Sequence, residues 1–351
     1  MNILHLTNEL NYSDGVSSHL FYLLKSLKEQ NVNSFILCGG GDALSKFEKY
    51  CSGIFVYEKL KHENRSAVNF PKAMLELRRI VNENKINLLH SHNHYAAGIA
   101  FRYSRLASLP AVQTVHGIIP PAGRLKHFAA DHFIAVNDHV RDHVAENEPG
   151  KNVTIIYNGV EFHPFEKKLN TGKIRFIAAS RLVKGKGLEA YIRAAGMIDP
   201  EYKQRAEFLI AGKGKLGNEL ENLNNELNAG IKFLGEITEM SKLFAETDVF
   251  VIPSENEGLP ISLLEAASGK NLILASAFDG VENILVPDEE GLVFKINDSD
   301  DLLNKIKFII DNPESIPKLS DNFYAKAKKK FNSTLMAEQH FELYSKILKK
   351  D

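Results

Sequence analysis

Strand-like apolar runs alternate with helix-period segments along nearly the whole chain, the pattern of parallel sheets covered by helices on both faces. A first series predicts strands at Ile3–Thr7, Ser34–Cys38, Gly53–Tyr57, Leu88–His90, Ala111–Val115, His132–Val136 and Val153–Tyr157. A second predicts them at Ile174–Ala178, Glu207–Ala211, Ile231–Leu234, Val249–Ile252, Leu272–Ala275 and Gly291–Phe294. The polar stretch EFHPFEKKLNTG, residues 161–172, separates the two. Each series opens alike, with a strand, a glycine-bearing loop and an amphipathic helix. The expected architecture is therefore α/β, two doubly wound (Rossmann-like) domains in tandem joined near residue 165. Leu335, Met336, Phe341, Leu343, Tyr344, Ile347 and Leu348 recur at helical spacing, so the last segment is expected to be a packed helix. Open sheets of this kind bind ligands at the carboxyl ends of their strands, and two face to face would enclose a cleft.

At 351 residues the chain can bury two cores of ordinary size. A formal net charge of −1 argues against a nucleic-acid partner, which would call for a basic excess or stripe. No apolar run approaches a membrane span, and MNILHLTNEL lacks the basic flank and long apolar stretch of a secretion signal, so the expectation is a cytoplasmic protein. Cys38 and Cys51 are too few for a disulfide framework and lack metal-ligand spacing.

Chemistry concentrates in the second half. The segment PSENEGLPISLLEA, residues 253–266, places Glu257 in a strand-to-helix loop and Glu265 inside an otherwise apolar helix. Pro260 suits the first helical turn, and the amides of Gly258 and Leu259 would then be open to an anion or a sugar hydroxyl. An exposed loop glutamate plus a structural ion pair is the plainer reading of the same residues. In SRLVKGKGLEAYIRAA, Arg181 and Lys186 flank a glycine-bearing loop where a diphosphate could sit. At about 4 Å and an effective dielectric near 20, each charge pair contributes about 4 kcal/mol before desolvation. A solvated basic loop is the commoner fate of such a run. GKGKLG supplies a literal G-x-G-x-x-G at Gly212, Gly214 and Gly217, with Glu236 at the next strand end, which fits a dinucleotide fingerprint. Yet it opens the second βα unit of its domain, where the fingerprint normally opens the first.

The first half offers NELNYSDGVSS, where Asp14 and Gly15 precede a helix near Val16 and would let a phosphate or acceptor hydroxyl approach. His90, His92 and His94 alternate in HSHNH and would share one face of a strand end, but without carboxylates nearby the expectation is strand-end packing and no metal. His116 ends a strand in TVHG, where its imidazole could donate to a substrate hydroxyl.

Taken together these residues resemble the retaining nucleotide-sugar glycosyltransferases of family 4, of GT-B fold, over nearly the whole chain. ENEGLPISLLEA is similar to the family's E-x7-E motif, Arg181 and Lys186 to its diphosphate-holding cations, GKGKLGNELENL to its glycine turn near the base, and the loop with Gly15 to its first glycine loop. The resemblance implies His116 and Glu257 at the donor sugar, Glu265 on the ribose, and Gly15, Gly212, Glu236, Gly258, Leu259 and Pro260 around the donor. It also implies an acceptor domain of residues 1–165 plus a helix of about 332–351 packing back toward it, and a donor domain of residues 166–331. Two positions depart from the pattern: Asn137 stands where a serine is common, and DGVEN, residues 279–283, replaces a glycine pair before Glu282.

The implied activity is hexosyl transfer, with retention, from a UDP- or GDP-sugar to the hydroxyl of a sugar or lipid-linked acceptor, without a metal or other cofactor. An NAD-dependent oxidoreductase using GKGKLG and a non-catalytic nucleotide-sugar binder are the alternatives. Arg78, Arg79, Arg102, Arg105, Arg124 and Lys126, interleaved with Leu75, Leu77, Ile80, Leu106, Leu109 and Phe128, would suit an anionic membrane surface, unless they are an ordinary helix face with its core side inward.

Overall fold

The computed structural model describes residues 1–64, 66, 69–118, 128–162 and 172–349. The chain divides into two compact units, residues 1–159 with 333–351, and residues 160–332. The expected join near residue 165 lies outside the described residues.

The first unit holds β1 (Asn2–Leu6), β2 (Asn33–Cys38), β3 (Gly53–Val56), β4 (Leu88–Ser91), β5 (Ala111–Val115), β6 (His132–Ala135) and β7 (Asn152–Ile155). Its helices are α1 (Gly15–Glu29), α2 (Leu44–Phe47), α3 (Asn69–Asn84), α4 (His94–Ala107) and α5 (Asp138–Asn147). All its strand pairings are parallel, in the order β3-β2-β1-β4-β5-β6-β7. β1 therefore lies beside β4, with His5 opposite His90. α1 begins where the Asp14 carboxylate accepts a hydrogen bond from the Ser17 amide at 3.3 Å, and it buries Leu20, Leu23, Leu24 and Leu27, one helical stripe. Asn137 caps α5 by accepting from the Val140 amide at 2.7 Å. Asn and Ser are equivalent caps, so this departure from the family pattern keeps its local role.

The second unit contributes β8 (Ile174–Ala179), β9 (Ala206–Ala211), β10 (Lys232–Phe233), β11 (Val249–Ile252), β12 (Leu272–Ser276) and β13 (Leu292–Phe294). The helices that cover it are α6 (Leu188–Met197), α7 (Pro200–Arg205), α8 (Gly217–Glu226), α9 (Met240–Ala245), α10 (Ile261–Ser268), α11 (Val281–Ile284), α12 (Ser299–Asp311) and α13 (Ser315–Lys330). Its parallel sheet runs β10-β9-β8-β11-β12-β13 around a core built from Phe176, Tyr191, Phe208, Val251, Leu274 and Ile306. The last helix, α14 (Ser333–Leu348), returns to the first unit. It buries Met336, Ala337, Leu343 and Tyr344 against the α1 side, and Ser333 meets Ser26 at 3.0 Å. The apolar spacing missed that His340 is on the buried face, and it placed Phe341 there although that ring is exposed.

The basic and apolar face considered for a membrane does not assemble among the described residues. Leu77 and Ile80 are fully buried, and Phe128 is buried, because they form the core side of their elements. Arg79 pairs with Glu76 and Glu83, Arg105 pairs with Asp131, and Arg102 lies over the Phe70 ring at 4.9 Å. Leu75 and Leu106 remain exposed, while Arg124 and Lys126 lie outside the described residues. No helix of the described residues is long and apolar enough to cross a membrane.

Candidate active site

In the second unit the strand order reverses between β8 and β11, so the loops leaving these two strands run side by side at the carboxyl edge of the sheet. Such a switch point is where open α/β sheets take their ligands. The first loop carries Arg181 and Lys186, and the second carries Glu257, Gly258, Leu259 and Pro260. Lys186 Nζ meets Glu257 Oε1 at 2.6 Å, with both side chains about one-fifth exposed or less. Arg181 is exposed on the same loop as Lys186. Thus three of the four residues expected to carry the chemistry converge at one edge, and His116 lies at the end of β5 in the first unit.

The backbone explains why the loops can lie so close. Gly187 sits in the left-handed region (φ 63°) as the cap of α6, and a Cβ there would lie 1.9 Å from the Pro253 carbonyl oxygen. The Glu255 amide donates to the Gly185 carbonyl at 2.9 Å, which fixes the two loops together. Gly187→Ala is therefore expected to separate them. Left-handed geometry alone costs about 1–2 kcal/mol in a residue with a Cβ. That corresponds to a Tm lower by at least ~2–4 °C. A thermal melt with no shift would show that the loops accommodate the methyl.

Gly212 and Gly214 answer a similar demand. A Cβ at Gly212 would lie 1.9 Å from the Ser180 carbonyl oxygen and one at Gly214 2.3 Å from that of Leu182. The Gly212 amide donates to Gly235 at 2.7 Å, Leu182 donates to Lys213 at 3.0 Å, and Leu216 donates to Leu182 at 3.0 Å. Two of the three glycines that spell a dinucleotide fingerprint are thus met by the protein's own backbone, which weakens the main support for the oxidoreductase. Gly212 shapes the site by letting loops approach; its amide is already used. Glu236 pairs with Lys213, yet its Oε1 is buried without a hydrogen-bond partner.

Other expectations change in detail. Pro260 is the residue before the helix, with ψ 125°, and α10 begins at Ile261. Gly258 and Leu259 are buried, and neither is without a partner. Glu265 lies on α10 between buried Leu264 and Ala266 but is itself only partly buried, so the burial its apolar neighbours suggested is incomplete. Gly15 is the first residue of α1 and a Cβ there would meet nothing within 4 Å. The Asp14 carboxylate already occupies that helix start.

HSHNH does not act as one set. His90 and His92 do share a face, with rings 4.3 Å apart, but His94 opens α4 and turns to Gln113 (3.3 Å). The other two join His5, His19, His340 and the partly buried His116 in a group that sequence reading missed, since strand adjacency alone brings β1 and β4 together. One signal was available: of the 13 histidines only His163 falls in the second unit. Burial is the first cause holding all six below the ordinary imidazole value, with neighbouring histidines adding to it for most: His5 and His116 fall to about 3, His340 to about 4, and His19, His90 and His92 well below.

Comparisons with known proteins agree with this geometry. The family model of "Glycosyltransferase Family 4" matches residues 13–163 and that of "Glycosyl transferases group 1" matches residues 159–330. Among solved structures, sucrose-phosphate synthase from Thermosynechococcus elongatus superposes with TM-score 0.87 at 17% identity over 100% of both chains. Anabaena HepE in complex with UDP-glucose gives 0.81 at 18% identity, covering 99% of this chain and 100% of that one. An uncharacterised glycosyltransferase of Methanocaldococcus jannaschii is 26% identical over 64% of this chain and 61% of its own. The Escherichia coli UDP-Gal:alpha-D-GlcNAc-diphosphoundecaprenol alpha-1,3-galactosyltransferase is 25% identical over 80% of this chain and 81% of its own. The fold is that of the GT-B glycosyltransferases. The chain belongs to their family 4 type.

Proposed function

We propose that this glycosyltransferase moves a hexosyl unit, with retention, from a UDP- or GDP-sugar to the hydroxyl of a lipid-linked sugar in polysaccharide or glycolipid synthesis, on the cytoplasmic face of a membrane. The observation that carries the reading is the Lys186–Glu257 pair at the switch point, with Arg181 exposed on the same loop as Lys186. A cationic pair next to a carboxylate suits a diphosphate joined to a sugar: Arg181 and Lys186 hold the phosphates, and Glu257 takes the sugar hydroxyls. Without donor, Lys186 is neutralised by Glu257; an arriving diphosphate would recruit it. The two cations replace a divalent ion at the phosphates.

For the reaction, the bond from the anomeric carbon to the phosphate oxygen breaks as the acceptor oxygen bonds to the same face of that carbon. The acceptor proton passes to the departing phosphate oxygen, so no carboxylate needs to attack the sugar. His116 is assigned, by resemblance, a share in fixing the sugar, and Glu265 holds the ribose. The acceptor class is drawn from the Escherichia coli relative and from a Campylobacter jejuni N,N'-diacetylbacillosaminyl-diphospho-undecaprenol alpha-1,3-N-acetylgalactosaminyltransferase, 25% identical over 53% of this chain and 48% of its own.

A panel of nucleotide sugars and sugar-free nucleoside diphosphates, read by thermal stabilisation, tests the donor. At 100 times Kd a ligand adds about 2.7 kcal/mol, so the cognate base should stand out without added Mg²⁺. In Glu265→Ala the shift given by the sugar-free diphosphate should shrink. Equal shifts in the variant and the parent chain would remove Glu265 from the ribose, and no stabilisation by any member would overturn the donor reading.

A further inference from the structure

Five histidine nitrogens are buried without a hydrogen-bond partner among the described residues: His5 Nε2, His19 Nε2, His92 Nδ1, His116 Nε2 and His340 Nε2. Buried polar atoms are nearly always satisfied, so five in one unit call for an explanation. Three of them belong to residues that meet. The His19 and His116 rings pack edge to face at 4.7 Å, His92 stacks on His116 at 5.8 Å and lies 5.6 Å from His19, and a ring nitrogen of each lies within 4.8 Å of one from the other two. We propose that His19, His92 and His116 form a binding site for a divalent transition-metal ion of the Zn²⁺ class inside the first unit.

Partners outside the trio leave the right lone pairs. His19 Nδ1 is 2.9 Å from Asn158 Oδ1, which can only accept, so the proton is on Nδ1 and the Nε2 lone pair is open. His92 Nε2 lies 3.2 Å from His5 Nδ1, and donation from His92 opens its Nδ1 in the same way. A second convergent trio, His5, His90 and His92, fits less well: both His90 nitrogens are engaged, by Tyr344 Oη at 2.6 Å and Thr114 Oγ1 at 2.7 Å. In a tetrahedral site with Zn–N near 2.0–2.1 Å the ligand nitrogens lie about 3.4 Å apart, so the trio closes by about 1 Å or a little more. Three imidazoles and no carboxylate select Zn²⁺, Cu²⁺ or Ni²⁺ over Mg²⁺ or Ca²⁺. His116 is partly exposed, which gives an ion a way in and a water the fourth position.

His116 also serves the sugar-transfer reading, so ion binding is measured without donor, and the inference stands whether or not that reading does. The test uses the full chain without a polyhistidine tag, stripped with chelator and dialysed. Calorimetry with Zn²⁺ should show one ion per chain, Mg²⁺ should show none, and Co²⁺ should give the visible absorption of a tetrahedral site. His116→Ala should abolish both the Zn²⁺ and the Co²⁺ signal, Asn158→Ala should weaken Zn²⁺ by roughly 10–100-fold, and His139→Ala should leave it unchanged. Far-UV circular dichroism confirms that each variant is folded. Absence of stoichiometric Zn²⁺ binding by the parent chain, or binding that survives His116→Ala undiminished, overturns the site.

Discussion

Lys186→Ala is expected to lower sugar transfer by roughly 10²–10³, the loss of about 3–4 kcal/mol of transition-state stabilisation. As the diphosphate departs, negative charge builds on its oxygens, and a fixed cation there acts more strongly on the transition state than on the bound donor. Lys186 is kept at the carboxyl edge of the sheet by the 2.6 Å contact with Glu257 until the diphosphate recruits it. The effect should therefore fall mainly on kcat. Arg181→Ala should act alike, and the double variant should lose less than the sum, because both cations serve one group. A structural role alone would lower Tm and leave kcat of the surviving enzyme intact. Near-normal turnover in both single variants would sink the assignment.

Below about pH 6.5 the first unit is expected to unfold ahead of the second. Each of the six clustered histidines, five buried and His116 partly buried, has a folded value depressed below that of the unfolded chain. Unfolded imidazoles take up protons near pH 6.5 and the folded ones do not, so their contribution is complete above that pH and is lost as pH falls toward the folded values. Each such histidine removes about 1.4 kcal/mol per pH unit. Two of them over 1.5 units remove about 4 kcal/mol, a large part of the 5–15 kcal/mol that holds an ordinary domain. Hydrogen exchange with a chelator present, corrected for intrinsic rates, should show peptides from residues 1–159 and 333–349 losing protection near pH 5 while those from 172–332 keep theirs. Simultaneous loss in both units would contradict the asymmetry.

Most of the fold was legible because parallel strands buried on both faces read as short apolar runs. All thirteen expected strands exist among the described residues, with ends shifted by a residue or so. β10 shrank most, to Lys232–Phe233, and Leu234 just beyond it is exposed although its amide still donates to Ile210 of β9 at 2.8 Å. At the site, Arg181, Lys186 and Glu257 could be named from loop position and charge. The histidine group could not, since His5, His19, His92, His116 and His340 stand on separate elements whose adjacency depends on strand order and on the return of α14. Glycine spacing misled for a related reason. A motif records that something comes close to the backbone, and here the neighbours are the carbonyls of Ser180 and Leu182.

The return of α14 also bears on the order in which a ribosome can deliver a finished protein. Every residue of the second unit, 160–332, is made before the helix that closes the first. Until Ser333–Leu348 emerges, Tyr344 is missing from His90 and the α1 side of the core stands open to water. Domains fold as units during synthesis, so the part encoded second can finish first. The part encoded first must wait, half-built, with its histidines still free to meet protons, ions or chaperones.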